Sequence, residues 1–127
     1  MFEQGEEVHD GVLRFAEQHR IAGAEVRAIG ALQNVVFAFF DRTSKKYVEI
    51  PVREQVEVVG LTGNIAWKDA RPKLHAHIVV TKRDGTAQGG HLIKGEVWPT
   101  LEMFINETPA GLQRTLDEET GLALLDL

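Results

Sequence analysis

The chain has no cysteine among its 127 residues, which removes disulfides, thiolate metal ligands and cysteine nucleophiles together. It has a single serine, Ser44, inside the polar run Arg42-Thr43-Ser44-Lys45-Lys46. That run reads as a turn, so a serine-centred nucleophilic triad is not expected. No apolar run approaches the ~20 residues needed to cross a bilayer. The first residues, Met1-Phe2-Glu3-Gln4-Gly5-Glu6-Glu7, are acidic and lack a signal-peptide core. Positive charge is also short: 14 Lys+Arg stand against 19 Asp+Glu, a net charge of -5 with His neutral. Duplex binding that rests on phosphate neutralisation wants the opposite balance, so nucleic-acid binding by this domain alone is not expected. Together these absences suit a cytoplasmic protein without membrane association.

What remains is an ordinary globular composition, 43% hydrophobic and 26% charged, with no repeat or linker-like stretch, so residues 1–127 read as one domain. Residues 6–20 predict a helix, because Val8, Val12, Phe15, Ala16 and His19 recur at spacings of three and four. Glu6 and Glu7 suit its first turn and Gly23 lies beyond its end. The period then changes to two. Residues 24–29 predict a strand, residues 30–34 a bend, and residues 35–40 a strand apolar on both faces. A chain with one long helix has little to cover that second face, which points to a partner subunit. Residues 47–50 and 55–61 predict further strands. Residues 74–81 and 87–93 flank an Asp-Gly hairpin signal, Lys82-Arg83-Asp84-Gly85-Thr86. Residues 97–107 are extended with a break at Pro99. Thr108-Pro109 predicts an N-cap with a first-turn proline, hence a short C-terminal helix. Residues 122–125 return to the sheet. The class is α+β (mixed α/β), with a largely antiparallel sheet.

The five histidines are His9, His19, His75, His77 and His91. His9 and His19 lie ten residues apart on the helix and make no metal pair. His75 and His77 alternate with Leu74, Ala76 and Ile78 on a strand, so both imidazoles project from one face. Whether His91 joins them depends on the hairpin loop. A two-residue loop of Asp84 and Gly85 sets His91 opposite Ile78, with its ring on the other face. A three-residue loop of Arg83, Asp84 and Gly85 sets it opposite His77, and requires an αL residue at its end, normally glycine. Gly85 occupies that place. In the second register three neutral imidazoles share a site. They suit zinc best, with copper, nickel and iron within the same donor chemistry, and they leave a position open.

Other signals carry less. Gly89-Gly90 permits close approach of another backbone, whereas Gly90 to Glu96 lacks the lysine of a phosphate loop. Metal-assisted catalysis would need a nearby carboxylate, for which Glu57, Asp69, Glu96 and Glu102 are candidates. Trp67 sits in a polar stretch and reads as a residue packed on the core edge or on a partner.

In order along the chain stand Ile29-Gly30-Ala31-Leu32, Phe40-Asp41, Tyr47, Leu61-Thr62-Gly63-Asn64-Ile65, His75-Ala76-His77, Asp84-Gly85, Gly89-Gly90-His91-Leu92 and Pro99-Thr100-Leu101-Glu102. This series resembles the prokaryotic branch of the plants and prokaryotes conserved (PPC) domain family, from Gly5 to Leu127. The resemblance implies an antiparallel sheet of about seven strands, a homotrimer, and a metal, zinc foremost, at the positions of His75, His77 and His91. In plants the domain follows AT-hooks that contact AT-rich DNA, and prokaryotic members often carry a DNA-binding label. No Arg-Gly-Arg-Pro core occurs here. The sequence therefore reads as a homotrimeric binding or regulatory module with a three-histidine metal site, taking a protein partner or small-molecule ligand, rather than as an enzyme. The alternatives are a zinc-dependent metalloenzyme and a DNA-associated regulator.

Overall fold

The computed structural model describes residues 1–126. Its elements are α1 (Val8–Gln18), β1 (Ala24–Asp41), β2 (Lys46–Val52), β3 (Val56–Lys68), β4 (Arg71–Thr81), β5 (Ala87–Glu107), β6 (Gln113–Leu116) and β7 (Ala123–Asp126). The helix starts at Val8, the first residue of its apolar stripe, rather than at residue 6, because Glu7 is the N-cap: its carboxylate accepts from the amides of His9 and Asp10. It also ends early. Arg20, with φ 53°, takes the left-handed stop expected nearer Gly23.

The seven strands run in the order β2-β1-β5-β4-β3-β6-β7, and β1 also pairs with β3. The circuit β1-β5-β4-β3-β1 closes, so the sheet curls on itself and removes edges that would otherwise stay unpaired. All pairings are antiparallel except one parallel bridge between Trp67 and Gln113. Two breaks read from the sequence are bulges rather than ends. β1 runs unbroken through residues 30–34, and β5 passes Pro99 while its register against β1 slips between Leu32–Val97 and Gly30–Leu101.

The helix packs on β4 and β5, burying Val8, Val12 and Ala16 against an apolar layer that includes Ala76, Ile78, Val80, Leu92 and Leu101. In β4 the even-numbered residues from Pro72 to Val80 are buried, which turns His75, His77 and Val79 to the opposite face. The doubly apolar segment at residues 35–40 is covered on both faces for most of its length: Val35 and Phe37 are buried on one and Ala38 on the other, and only Phe39, at 65%, is exposed.

The short C-terminal helix expected at Thr108-Pro109 does not form. Residues 108–112 run alongside Ala22 and Gly23 instead. The amide of Thr108 donates to the Gly23 carbonyl at 2.9 Å and that of Leu112 to the Ala22 carbonyl at 3.0 Å. The Thr108 hydroxyl, which would have capped a helix, donates to the Ala110 carbonyl at 2.6 Å. With β6 beginning at Gln113, tertiary pairing takes the backbone groups that a first helical turn would need. α1 is thus the one helix among the described residues, and it is too short to cross a membrane.

Candidate metal centre

The β4–β5 hairpin has the longer loop. The amide of Lys82 donates to the Thr86 carbonyl at 3.0 Å and the amide of Gly85 to the Lys82 carbonyl at 2.9 Å, which closes a turn over Arg83 and Asp84. Gly85 has φ +82° and no neighbour in contact with its missing side chain, so its role is conformational. The register that follows pairs His77 with His91. It also pairs Val79 with Gly89, where a Cβ would come within 2.3 Å of the Ile78 carbonyl oxygen. Gly89 therefore lets β4 and β5 close at the step beside the histidines. Because Gly85 has open space, Gly85→Val should destabilise the fold by about 1–2 kcal/mol through its left-handed backbone alone and lower metal affinity, while Gly85→Asn stays near wild type. Urea midpoints with and without metal check both.

The three imidazoles converge. One ring nitrogen from each of His75, His77 and His91 lies within 4.8 Å of the others. Nε2 of His75 and Nε2 of His77 are 3.3 Å apart. Two zinc ligands at the tetrahedral angle, each ~2.0–2.1 Å from the ion, have about that separation. Nδ1 of His91 is buried without a hydrogen-bond partner, an unmet capacity of the kind a bound group satisfies. Tyr47 of β2 stacks on the His91 ring at 4.7 Å and 28°. The donor set and its spacing fit a divalent metal that prefers imidazole.

Burial holds His91 neutral down to about 4, helped by the neighbouring charges of His75, His77 and His9. His75 is also pushed below its ordinary range, by burial first and then by Arg114. Neutral rings are the ones that coordinate. An unfolded chain protonates His91 near its ordinary 6.5, whereas the folded chain resists down to about 4. Between those values the unfolded state holds the extra proton, so stability of the metal-free protein falls as pH drops through that window and levels off below it. Urea unfolding at pH 7, 6, 5 and 4 should show the decline; a flat profile would contradict it. Metal release should likewise lie below the ~6.5 of a free imidazole.

His9 and His19 stay outside the cluster, His19 stacking on Phe15 at 4.3 Å. None of the four candidate carboxylates reaches it. Among the described residues, no Asp or Glu lines either the cleft at His75 and His91 or the groove at His77. Glu96 instead accepts from the Asn34 side-chain amide at 3.0 Å. Trp67 packs on the core edge, its indole N–H donating to the Ile21 carbonyl at 2.6 Å. The sequence reading missed Arg114, whose guanidinium reaches the cluster's edge by donating to Asn64, the β3 neighbour of His75. A cation in the polar strand Gln113-Arg114-Thr115-Leu116 carries no pattern that marks it as buried.

The histidines stand at a junction. On the His77 side lies an apolar groove of about 750 Å³, walled by Ile29, Val59, Val79 and Phe104, all exposed. On the His75 and His91 side lies a cleft of about 570 Å³ that Arg114 enters.

A single-helix protein with a curled antiparallel sheet and a histidine cluster facing outward is the class that fold and site define. The chain belongs to the Plants and Prokaryotes Conserved (PCC) domain family, the domain also abbreviated PPC, which matches residues 1–109. It is similar in structure to a metal-containing protein from Archaeoglobus fulgidus, with a TM-score of 0.91 and 33% identity over 99% of this chain and 89% of that one. It is similar to a plant- and prokaryote-conserved protein from Pyrococcus horikoshii, with a TM-score of 0.93 and 32% identity over 99% and 87%. A candidate DNA-binding protein from Bacteroides thetaiotaomicron superposes with a TM-score of 0.95 at 28% identity, over 98% and 87%. No curated protein matches the chain.

Proposed function

We propose that this protein is a homotrimeric, cytoplasmic binding or regulatory module built around a three-histidine metal centre, with zinc as the metal. The observation that carries the reading is the convergence of His75, His77 and His91 within 4.8 Å. The relative described as metal-containing supports it. Bound zinc would supply a Lewis-acidic position for a ligand atom. The chain's residues hold the three nitrogens in register, and burial favours the neutral rings of His75 and His91. A metalloenzyme would need a proton-shuttling carboxylate there, and none lines the site among the described residues, so the binding reading is preferred. Trimer formation is supported by the exposed apolar groove on the outer sheet face. Metal analysis of untagged protein should give one zinc per chain, and light scattering a mass of three chains. Metal-free protein at neutral pH, or a stable monomer at micromolar concentration, would overturn the corresponding half.

The names of some similar structures favour a second reading, DNA association. Charge opposes it. The net charge is -5, Arg27 and Lys82 are paired with Glu25 and Glu54, and Lys45 donates to the Glu119 carbonyl. Fluorescent duplexes titrated at physiological salt should show no saturable binding. A sequence-selective complex that survives added salt would promote the DNA reading.

A further inference from the structure

The cleft beside the histidines is cationic in an acidic protein. Arg114 is only 9% exposed. Its Nη1 donates to the Ala123 carbonyl at 2.8 Å and its Nη2 to the Asn64 side-chain oxygen at 2.6 Å, while its Nε is buried without a partner. Both acceptors are neutral. Arg114 joins none of the ion pairs found among the described residues. A guanidinium does not shed its proton, and a buried charge met only by neutral groups is costly to keep. Lys68 and Lys73 also line the cleft, and Lys68 alone of the two has an ion-pair partner, Asp69, whose side chain is 82% exposed. The rest of the lining is largely apolar, from Leu74 of β4 and the Leu122–Leu125 segment. At about 570 Å³ the space is that of a small-molecule site.

We infer that this cleft binds a small organic acid, its carboxylate against Arg114 and its apolar body against the leucines, one end of it next to His75 and His91. The cationic and apolar parts of the lining divide the ligand's features between them: an oxyanion to compensate Arg114, and a hydrocarbon portion to cover Leu122 and Leu124. The site needs no metal to form, since Arg114 is held by β3 and β7 rather than by the histidines, so it stands or falls separately from the metal centre.

The test uses the full chain stripped of metal by chelation and dialysed. Acetate, benzoate and inorganic phosphate are titrated while the arginine Nε–H resonances are followed by NMR, with the Arg114 signal assigned from its loss in R114K. Benzoate should bind saturably and shift that resonance. It should bind at least roughly tenfold more tightly than acetate, because its ring buries more apolar surface. R114Q should weaken benzoate by roughly tenfold to a hundredfold, the range of a charge-assisted hydrogen bond. Because R114Q also removes the contacts to Asn64 and Ala123, K68Q/K73Q is measured beside it. This double variant leaves those contacts intact and should weaken binding severalfold, with a shallower salt dependence. Three results would overturn the inference. One is no saturable shift of the Arg114 resonance with any probe. Another is equal binding of acetate, phosphate and benzoate, which leaves no organic-acid site. The third is an R114Q protein that loses its assembly while the wild type binds no anion, which would give Arg114 to a carboxylate of a second copy. Repeating the benzoate titration with zinc restored should tighten it if the metal centre is also correct; unchanged affinity would leave the Arg114 cleft supported and separate it from the metal.

Discussion

His77→Ala should abolish stoichiometric metal uptake while leaving the fold intact. His77 holds the cluster together: its Nε2 stands 3.3 Å from that of His75, and its backbone pairs directly with His91. Without it, two imidazoles from different strands remain, and two ligands do not hold zinc in a tetrahedral protein site. The loss should exceed the ~10–100-fold that removal of an outer-shell partner costs. The His77 side chain is exposed and makes no core contact, so its removal opens no cavity. Circular dichroism and urea midpoints of the metal-free protein should match wild type. His19→Ala, which removes a helix histidine outside the cluster, should retain full metal content. Equal metal in wild type and His77→Ala, measured by elemental analysis after dialysis, would remove the three-histidine centre.

If the protein is the proposed trimer, Phe104→Asp should convert it to monomers. Phe104 is 64% exposed, beside Ile29, Val59 and Val79 at 56%, 58% and 46%, and together they form one apolar strip on the outer sheet face. A surface of that kind on an otherwise acidic protein is costly to leave in water, and the proposed trimer would cover it with a neighbouring copy. A carboxylate buried there without a partner costs several kcal/mol per copy, and a closed ring of three copies repeats that cost at every interface. Phe104 lies outside the core, so the monomer should stay folded. Light scattering should fall from three chains to one, with an unchanged circular dichroism spectrum. A folded variant that keeps the three-chain mass would move the interface elsewhere. Since His77 borders the same groove, dissociation should also expose the metal centre to chelators and speed metal loss.

The features that depend on local period and local conformation were legible along the chain. A period of two put His75 and His77 on one face of β4, because side chains alternate along a strand wherever that strand lies. Gly85 marked the turn between β4 and β5, because few other residues accept a left-handed backbone. The helix was legible from its apolar stripe, to within a turn at each end. Features that depend on competition between distant groups became legible only in the folded chain. Asp-Gly is compatible with two loop lengths that differ by one residue, and only the packing of Gly89 against the Ile78 carbonyl and of Leu92 in the core selects the register that brings His91 to His77. The Thr108-Pro109 helix signal was locally sound and lost to the carbonyls of Ala22 and Gly23, more than eighty residues earlier in the chain. Tyr47 reached His91, and Arg114 reached Asn64, through contacts between elements far apart in sequence. Periodicity reports which face a residue occupies. It does not report which other face will be folded against it, and the cationic cleft beside the histidines exists only in that second arrangement.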